Sequence, residues 1–201
     1  ISSTGAQTNV ICNATSTGAI NLTAASGGVG PYTYTWNNGA TTQNLINIPS
    51  GNYTVSITDA SNCTLSLSFI ITEPSPIVAV ATLTNISCNG TATGSIAISN
   101  PTGGTAPYTY NWSNGSTSQT LVNVIAGNYT LALTDSKGCT KVFGPYTLTE
   151  PVSISSMGTT VNPSCNGSAS GSITLSTPSG GTASYTYLWS NGATTQSLVN
   201  I

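Results

Sequence analysis

The feature that most constrains this chain is an internal repeat of 76 to 77 residues. Cys12, Cys88 and Cys165 mark the same place in three copies, and so do Trp36, Trp112 and Trp189. Cys63 and Cys139 are 76 residues apart, as are Asp59 and Asp135. Short strings agree: Gly51-Asn-Tyr-Thr54 returns as Gly127-Asn-Tyr-Thr130, and the joints read Thr72-Glu-Pro74 and Thr149-Glu-Pro151. A fixed period of this kind means an array of similar units. The copies are placed at 1–75, 76–152 and 153–201. The third stops at Ile201, which corresponds to Ile48, so the sequence reads as a window on a longer array.

Within each copy apolar residues alternate with polar ones, and no 3.6-residue period is present. Tyr32, Tyr34 and Trp36 share one face, with Thr33 and Thr35 on the other. Tyr53, Val55 and Ile57 alternate with Thr54, Ser56 and Thr58, and Leu65, Leu67, Phe69 and Ile71 with Thr64, Ser66 and Ser68. That pattern predicts half-buried antiparallel strands. Asn38-Gly39, Asn114-Gly115 and Asn191-Gly192 predict hairpins whose two central residues have φ > 0. Six or seven short strands in about 76 residues predict an all-β chain of tandem Ig-like antiparallel β-sandwiches in an extended array. Strands of 5 to 8 residues would give each repeat a length of roughly 25 to 40 Å.

Composition removes several function classes. The 201 residues include 35 Thr, 29 Ser and 20 Asn, but only 2 Lys+Arg, 4 Asp+Glu and no His, for a formal net charge of −2. Without a basic patch there is no electrostatic footprint for nucleic acid. Without His, and with two carboxylates per copy at most, general acid–base catalysis lacks material. No apolar run reaches the roughly 20 residues of a membrane span. The expectation is a non-catalytic chain with no cofactor and no metal.

Five cysteines in small sandwiches suggest disulfide staples and an oxidising, extracellular location. Two pairings are open. The internal one, Cys12–Cys63 and Cys88–Cys139, closes loops of 51 residues, each worth at most about 4 kcal/mol by loop entropy. It leaves Cys165 with a partner outside the segment. The rival, Cys63–Cys88 and Cys139–Cys165, clamps neighbours across the Glu-Pro joint. The internal pairing is favoured: four strands separate the two cysteines of a copy, and an even number returns the chain to the same pole. Six strands would also put both termini at one pole, whereas a seventh around Thr41 to Ile48 would separate the termini and part the cysteines.

The combined string resembles the SprB-type repeat of large cell-surface adhesins of gliding Bacteroidota. In the second copy it is carried by Cys88-Asn-Gly90, Gly94-Ser-Ile96, Gly103-Gly104, Pro107 to Trp112, Asn114-Gly115, Gly127 to Thr130, Thr134-Asp135, Cys139 and Glu150-Pro151. The first copy departs at Ala14 and the third at Ser184. The resemblance implies type IX export, display in long arrays, and a role in adhesion or gliding. It implies no catalytic residues.

Three features invite a sharper function. The trio Tyr32, Tyr34 and Trp36 could stack on sugar, although core packing explains a motif repeated in every copy with threonines opposite. Asp59 with Glu73, and Asp135 with Glu150, could hold calcium, but that ion takes six to eight oxygens. Asp in Thr-Asp-x-x-x-Cys fits an Asx turn better. Ten Asn-x-Ser/Thr sequons from Asn13 to Asn166 leave glycosylation open. The expected partners are neighbouring repeats of the same chain, a lateral copy paired along Thr-rich edges that lack protective charge, and a surface or glycan target. The leading expectation is a stalk or filament. The alternative is a binding module in which each repeat contacts the target.

Overall fold

Alternating apolar and hydroxyl-bearing residues fold as expected into short antiparallel strands, and no segment is helical. The computed structural model describes residues 1–201. The first repeat holds six strands: β1 (Gly5–Thr8), β2 (Gly18–Leu22), β3 (Thr33–Trp36), β4 (Leu45–Ile48), β5 (Gly51–Thr58) and β6 (Thr64–Ile71). They form two three-stranded sheets, in the orders β1-β2-β4 and β3-β5-β6. The second repeat duplicates them as β7 (Ala81–Thr84), β8 (Gly94–Ile98), β9 (Thr109–Trp112), β10 (Thr120–Val124), β11 (Gly127–Thr134) and β12 (Thr140–Leu148). Its sheets are β7-β8-β10 and β9-β11-β12. The third repeat contributes β13 (Gly158–Val161), β14 (Ser172–Leu175) and β15 (Leu198–Val199) in one sheet.

The chain divides into two compact units. One contains Ile1–Val80, Ile98–Ser118 and Thr130–Gly144; the other contains Ala81–Ala97, Gln119–Tyr129 and Pro145–Ile201. The first repeat lies wholly in the first unit. Its core joins Ile20 and Leu22 of β2 and Leu45 and Ile48 of β4 to Trp36 of β3, to Tyr53, Val55 and Ile57 of β5, and to Ile71 of β6. Both sheets supply one face, so the repeat is a β-sandwich. Burying each large aliphatic side chain contributes about 1.5–3 kcal/mol. The counterparts Ile96, Trp112, Leu121, Tyr129, Leu131, Leu133 and Leu148 are buried in the second repeat.

Strand direction differs from what simple counting suggests. Leu45–Ile48 is one of the six strands, and four strands do separate Cys12 from Cys63. Yet β3 and β4 run the same way. β3 descends beside β5, with Thr33 opposite Thr58 and Trp36 opposite Val55. Residues 37–44 then climb back before β4 descends from Leu45, opposite Ile20, to Ile48, opposite Gly18. One connection therefore uses up a reversal without adding a strand. At one pole the Val10 N–H donates to the Thr72 carbonyl at 2.9 Å, joining the ends of β1 and β6. At the other the Ala60 N–H donates to the Val29 carbonyl at 2.8 Å. Cys12 follows β1 at the first pole, where the chain leaves the repeat. Cys63 follows β5 at the opposite pole, where the chain begins it. Six strands thus leave the termini of the repeat at opposite poles and part its two cysteines.

The Asn-Gly turns also differ. Only the glycines take positive φ, +87° at Gly39 and +82° at Gly115, and β3 pairs with β5 rather than with the strand after the turn. The Gly39 N–H donates to the Trp36 carbonyl, and the Asn38 side chain accepts from the Ala40 N–H at 3.1 Å. The asparagine works through its side chain, so its own backbone need not be left-handed.

Candidate functional site: the joint between repeats

Of the groups that the sequence singles out, Glu73, Asp135, Cys12 and Cys139 meet at the joint between the first and second repeats. The segment after β6 is anchored first to its own repeat. Glu73 Oε2 accepts from the Ala14 N–H at 2.7 Å, and Asn13 Nδ2 donates to the Pro74 carbonyl at 3.1 Å. It is then anchored to the next repeat. The Gly104 N–H donates to the Ser75 carbonyl at 2.8 Å, Val78 and Thr102 exchange two backbone hydrogen bonds at 2.9 and 3.0 Å, and Ile77 is buried. Residues 73 to 78 are therefore bonded on both sides. Proline at 74 and 76 further narrows the backbone freedom of this stretch.

Two glycines make the approach possible. Gly103 has φ +76°, and a Cβ there would sit 1.9 Å from the Pro76 carbonyl oxygen. Gly104 has φ +59°, and a Cβ there would meet the Asp135 carboxylate at 2.7 Å. Read along the sequence, the Gly-Gly pair is only a turn signal. Its second use, as a seat for the preceding linker, becomes visible once the linker lies against it.

Asp135 organises the loop that carries Cys139. Its Oδ1 accepts from the Lys137 and Cys139 N–H groups, both at 2.9 Å, and its Oδ2 accepts from the Thr105 N–H at 2.8 Å. Burial pushes this carboxyl upward, but the N–H groups of Cys139, Thr105 and Lys137 outweigh it and hold the pKa below the ordinary value. Asp59 does the same for Cys63, accepting from Ser61 and Cys63 through Oδ1 and from Val29 through Oδ2. The Val29 N–H is the largest influence, and the Asp59 pKa is also lowered. Both carboxylates are thus spent on backbone donors, as an Asx-type turn requires. No group of three or more His, Cys, Asp or Glu residues is placed to hold a metal ion.

The cysteines are paired differently from either sequence expectation. Cys12 is bonded to Cys139, across 127 residues, while Cys63, Cys88 and Cys165 are exposed thiols. Neither Cys12–Cys63 nor Cys88–Cys139 forms, because the two cysteines of one repeat lie at opposite poles. Cys63–Cys88 and Cys139–Cys165 do not form either. The bridge instead joins the C-terminal pole of one repeat to the Asp135–Cys139 loop of the next. Cys139 is 8 % exposed and lines one cleft with Cys12, Asn13, Pro76 and Ile77.

The second joint repeats this chemistry. Glu150 Oε2 accepts from the Gly90 N–H at 2.7 Å, and Asn89 Nδ2 donates to the Pro151 carbonyl at 3.0 Å. The Gly181 N–H donates to the Val152 carbonyl at 2.6 Å, and Ser155 and Ser179 exchange two bonds at 2.9 Å.

The aromatic trio is core rather than platform. Trp36 and Trp112 are each 2 % exposed. Their indole N–H groups donate to the Thr42 and Ser118 carbonyls at 2.8 Å. The Tyr32 hydroxyl donates to the Gly27 carbonyl at 2.8 Å. No helix is long and apolar enough to cross a membrane.

No curated protein matches the chain. The SprB repeat family model matches it three times, at residues 4–41, 80–117 and 157–194, which together cover more than half of its length. Each match begins at or just before the first strand of a copy and runs through the tryptophan and the Asn-Gly turn. The chain therefore belongs to the SprB repeat family.

Proposed function

We propose that the chain is the non-catalytic repeat segment of an extracellular cell-surface adhesin, and that it serves as a stalk or filament that transmits force during adhesion or gliding. One observation carries this reading: the linker between repeats is hydrogen-bonded on both sides and the same joint is closed by the Cys12–Cys139 bridge. A joint so built resists both bending and extension. Family membership supports the cell-surface setting. Burial of Trp36 and Trp112 speaks against the alternative in which each repeat reads a glycan through its aromatic strand.

Single-molecule pulling between residues 1 and 201 tests the reading. The bridge removes the 127-residue interval from the extensible chain, about 440 Å of contour at roughly 3.5 Å per residue. The expected unreduced trace is shorter than the reduced one by that amount. Equal contour lengths with and without reductant would show that the bridge carries no force, and the stalk reading would fail.

A further inference from the structure

We infer that the cysteines form a ladder in which the first cysteine of each repeat is bonded to the second cysteine of the repeat after it, so that Cys88 is the half-site for the repeat containing Cys165. The inference concerns how the joints close and does not depend on the adhesive role.

Both halves of such a rung are already shaped in the unpaired copies. Around Cys12 the Thr15 N–H and hydroxyl donate to the Cys12 carbonyl at 3.2 and 2.8 Å; around Cys88 the Thr91 N–H and hydroxyl do so at 3.2 and 2.7 Å. The Glu-Pro segment buttresses both loops with matching bonds, from Glu73 and Pro74 in one and from Glu150 and Pro151 in the other. On the opposite half, the Cys63 and Cys139 N–H groups each donate to an aspartate Oδ1 at 2.9 Å. In both loops the aspartate N–H returns a 3.0 Å bond to the cysteine carbonyl. The loop bearing Cys63 is therefore folded for a bridge while its thiol is free.

The second joint also presents a site. Cys88 lines a cavity of about 430 Å³ with Pro151, Ile154, Gly181 and Thr182. These are the counterparts of Pro74, Ile77, Gly104 and Thr105, the residues around the Cys12–Cys139 joint. The occupant assigned to it is a Thr-Asp-x-x-x-Cys loop placed where a continuation of the third copy would carry it. That loop's counterpart, Thr134–Cys139, follows Val124, the equivalent of Ile201.

Rungs of this kind overlap along the sequence. The interval closed by Cys12 runs past Cys88, and the one opened by Cys88 runs past Cys139 and Cys165. Overlapping loops leave only the stretch between one rung's end and the start of the first rung that opens beyond it free to extend, such as Cys139 to Cys165. Each rung forms when two thiols lose two protons and two electrons to a disulfide oxidant, which is reduced to two thiols.

The test adds to the chain, after Ile201, a copy of its own residues 125–152. That addition supplies a sixth cysteine. The extended chain is refolded with oxidised glutathione as the oxidant, alkylated and mapped without reduction. The expected map contains Cys12–Cys139 and a crosslink from Cys88 to the added cysteine, and the alkylated thiols fall from three to two, Cys63 and Cys165. A crosslink from the added cysteine to Cys165, or an alkylated Cys88, overturns the ladder. The unextended chain provides a check that needs no new folding: Cys12 must be found with Cys139, and Cys139→Ser must expose Cys12 alone. If Cys139→Ser makes Cys12 bond Cys63, the poles are not as assigned and the ladder fails.

Discussion

Replacing Cys12 by serine should be the most costly single change at an exposed or half-exposed position in the first repeat. The bridge closes 127 residues, which by chain entropy is worth about 5 kcal/mol when both repeats unfold together. If the first repeat unfolds while the second stays folded, the constrained loop shortens to about 65 residues and the value falls to about 4 kcal/mol. Either figure is a large share of the roughly 5–15 kcal/mol that holds an ordinary domain together. The assay is guanidinium unfolding followed by tryptophan fluorescence, because Trp36 and Trp112 are buried and report on their own repeats. Cys12→Ser should lower the midpoint strongly, and reductant should bring the parent chain to the same midpoint. Cys63→Ser should leave it unchanged, because Cys63 is an exposed free thiol. Equal losses for Cys12→Ser and Cys63→Ser would mean that the bridge lies within the repeat, and an unmoved midpoint for Cys12→Ser would mean that it contributes nothing.

Three further outcomes are expected. Gly103→Ala should destabilise the joint by more than about 2 kcal/mol, since a left-handed alanine alone costs roughly 1–2 kcal/mol and the new Cβ also strikes the Pro76 carbonyl; Gly115→Ala, with φ +82° and nothing within 4 Å, should show only the backbone cost in thermal unfolding. Backbone N–H donors hold the Asp59 and Asp135 carboxyls below the ordinary aspartate pKa, so their contribution is present above that ordinary value and is lost as pH falls through the lowered ones; an acid titration followed by circular dichroism should show the loss, and Asp135→Asn should reduce it. Acrylamide should quench Trp36 and Trp112 weakly and half-buried Trp189 more strongly, read from single-tryptophan variants; strong quenching of Trp112 would reopen the binding-platform reading.

Much of the fold was legible because β-structure writes itself in short-range alternation. Tyr53, Val55 and Ile57 are buried and their threonine and serine neighbours are not, as the period of two requires. The strand face of Tyr32, Tyr34 and Trp36 was legible as core for the same reason. The repeat period was plain in the spacing of Cys12, Cys88 and Cys165, and it led to the family. The linker was half legible: Glu73-Pro74 stood out as a joint, but the Gly103-Gly104 seat beneath it did not. A glycine signals freedom of φ without saying which distant backbone will use the space.

Disulfide pairing was the part that sequence could not reach. Local pattern determined which residues form strands, which faces are apolar and where the chain turns, since those depend on neighbours a few positions away. Pairing depends on which pole each cysteine occupies, and that follows from the direction of every strand. The loop at 37–44 lets β3 and β4 run the same way, so parity of strand number no longer predicts position. The tertiary structure alone decided that Cys12 and Cys63 stand at opposite poles. It also brought Cys12 within bonding distance of Cys139, because covalent closure is set by distance in space and not by separation along the chain.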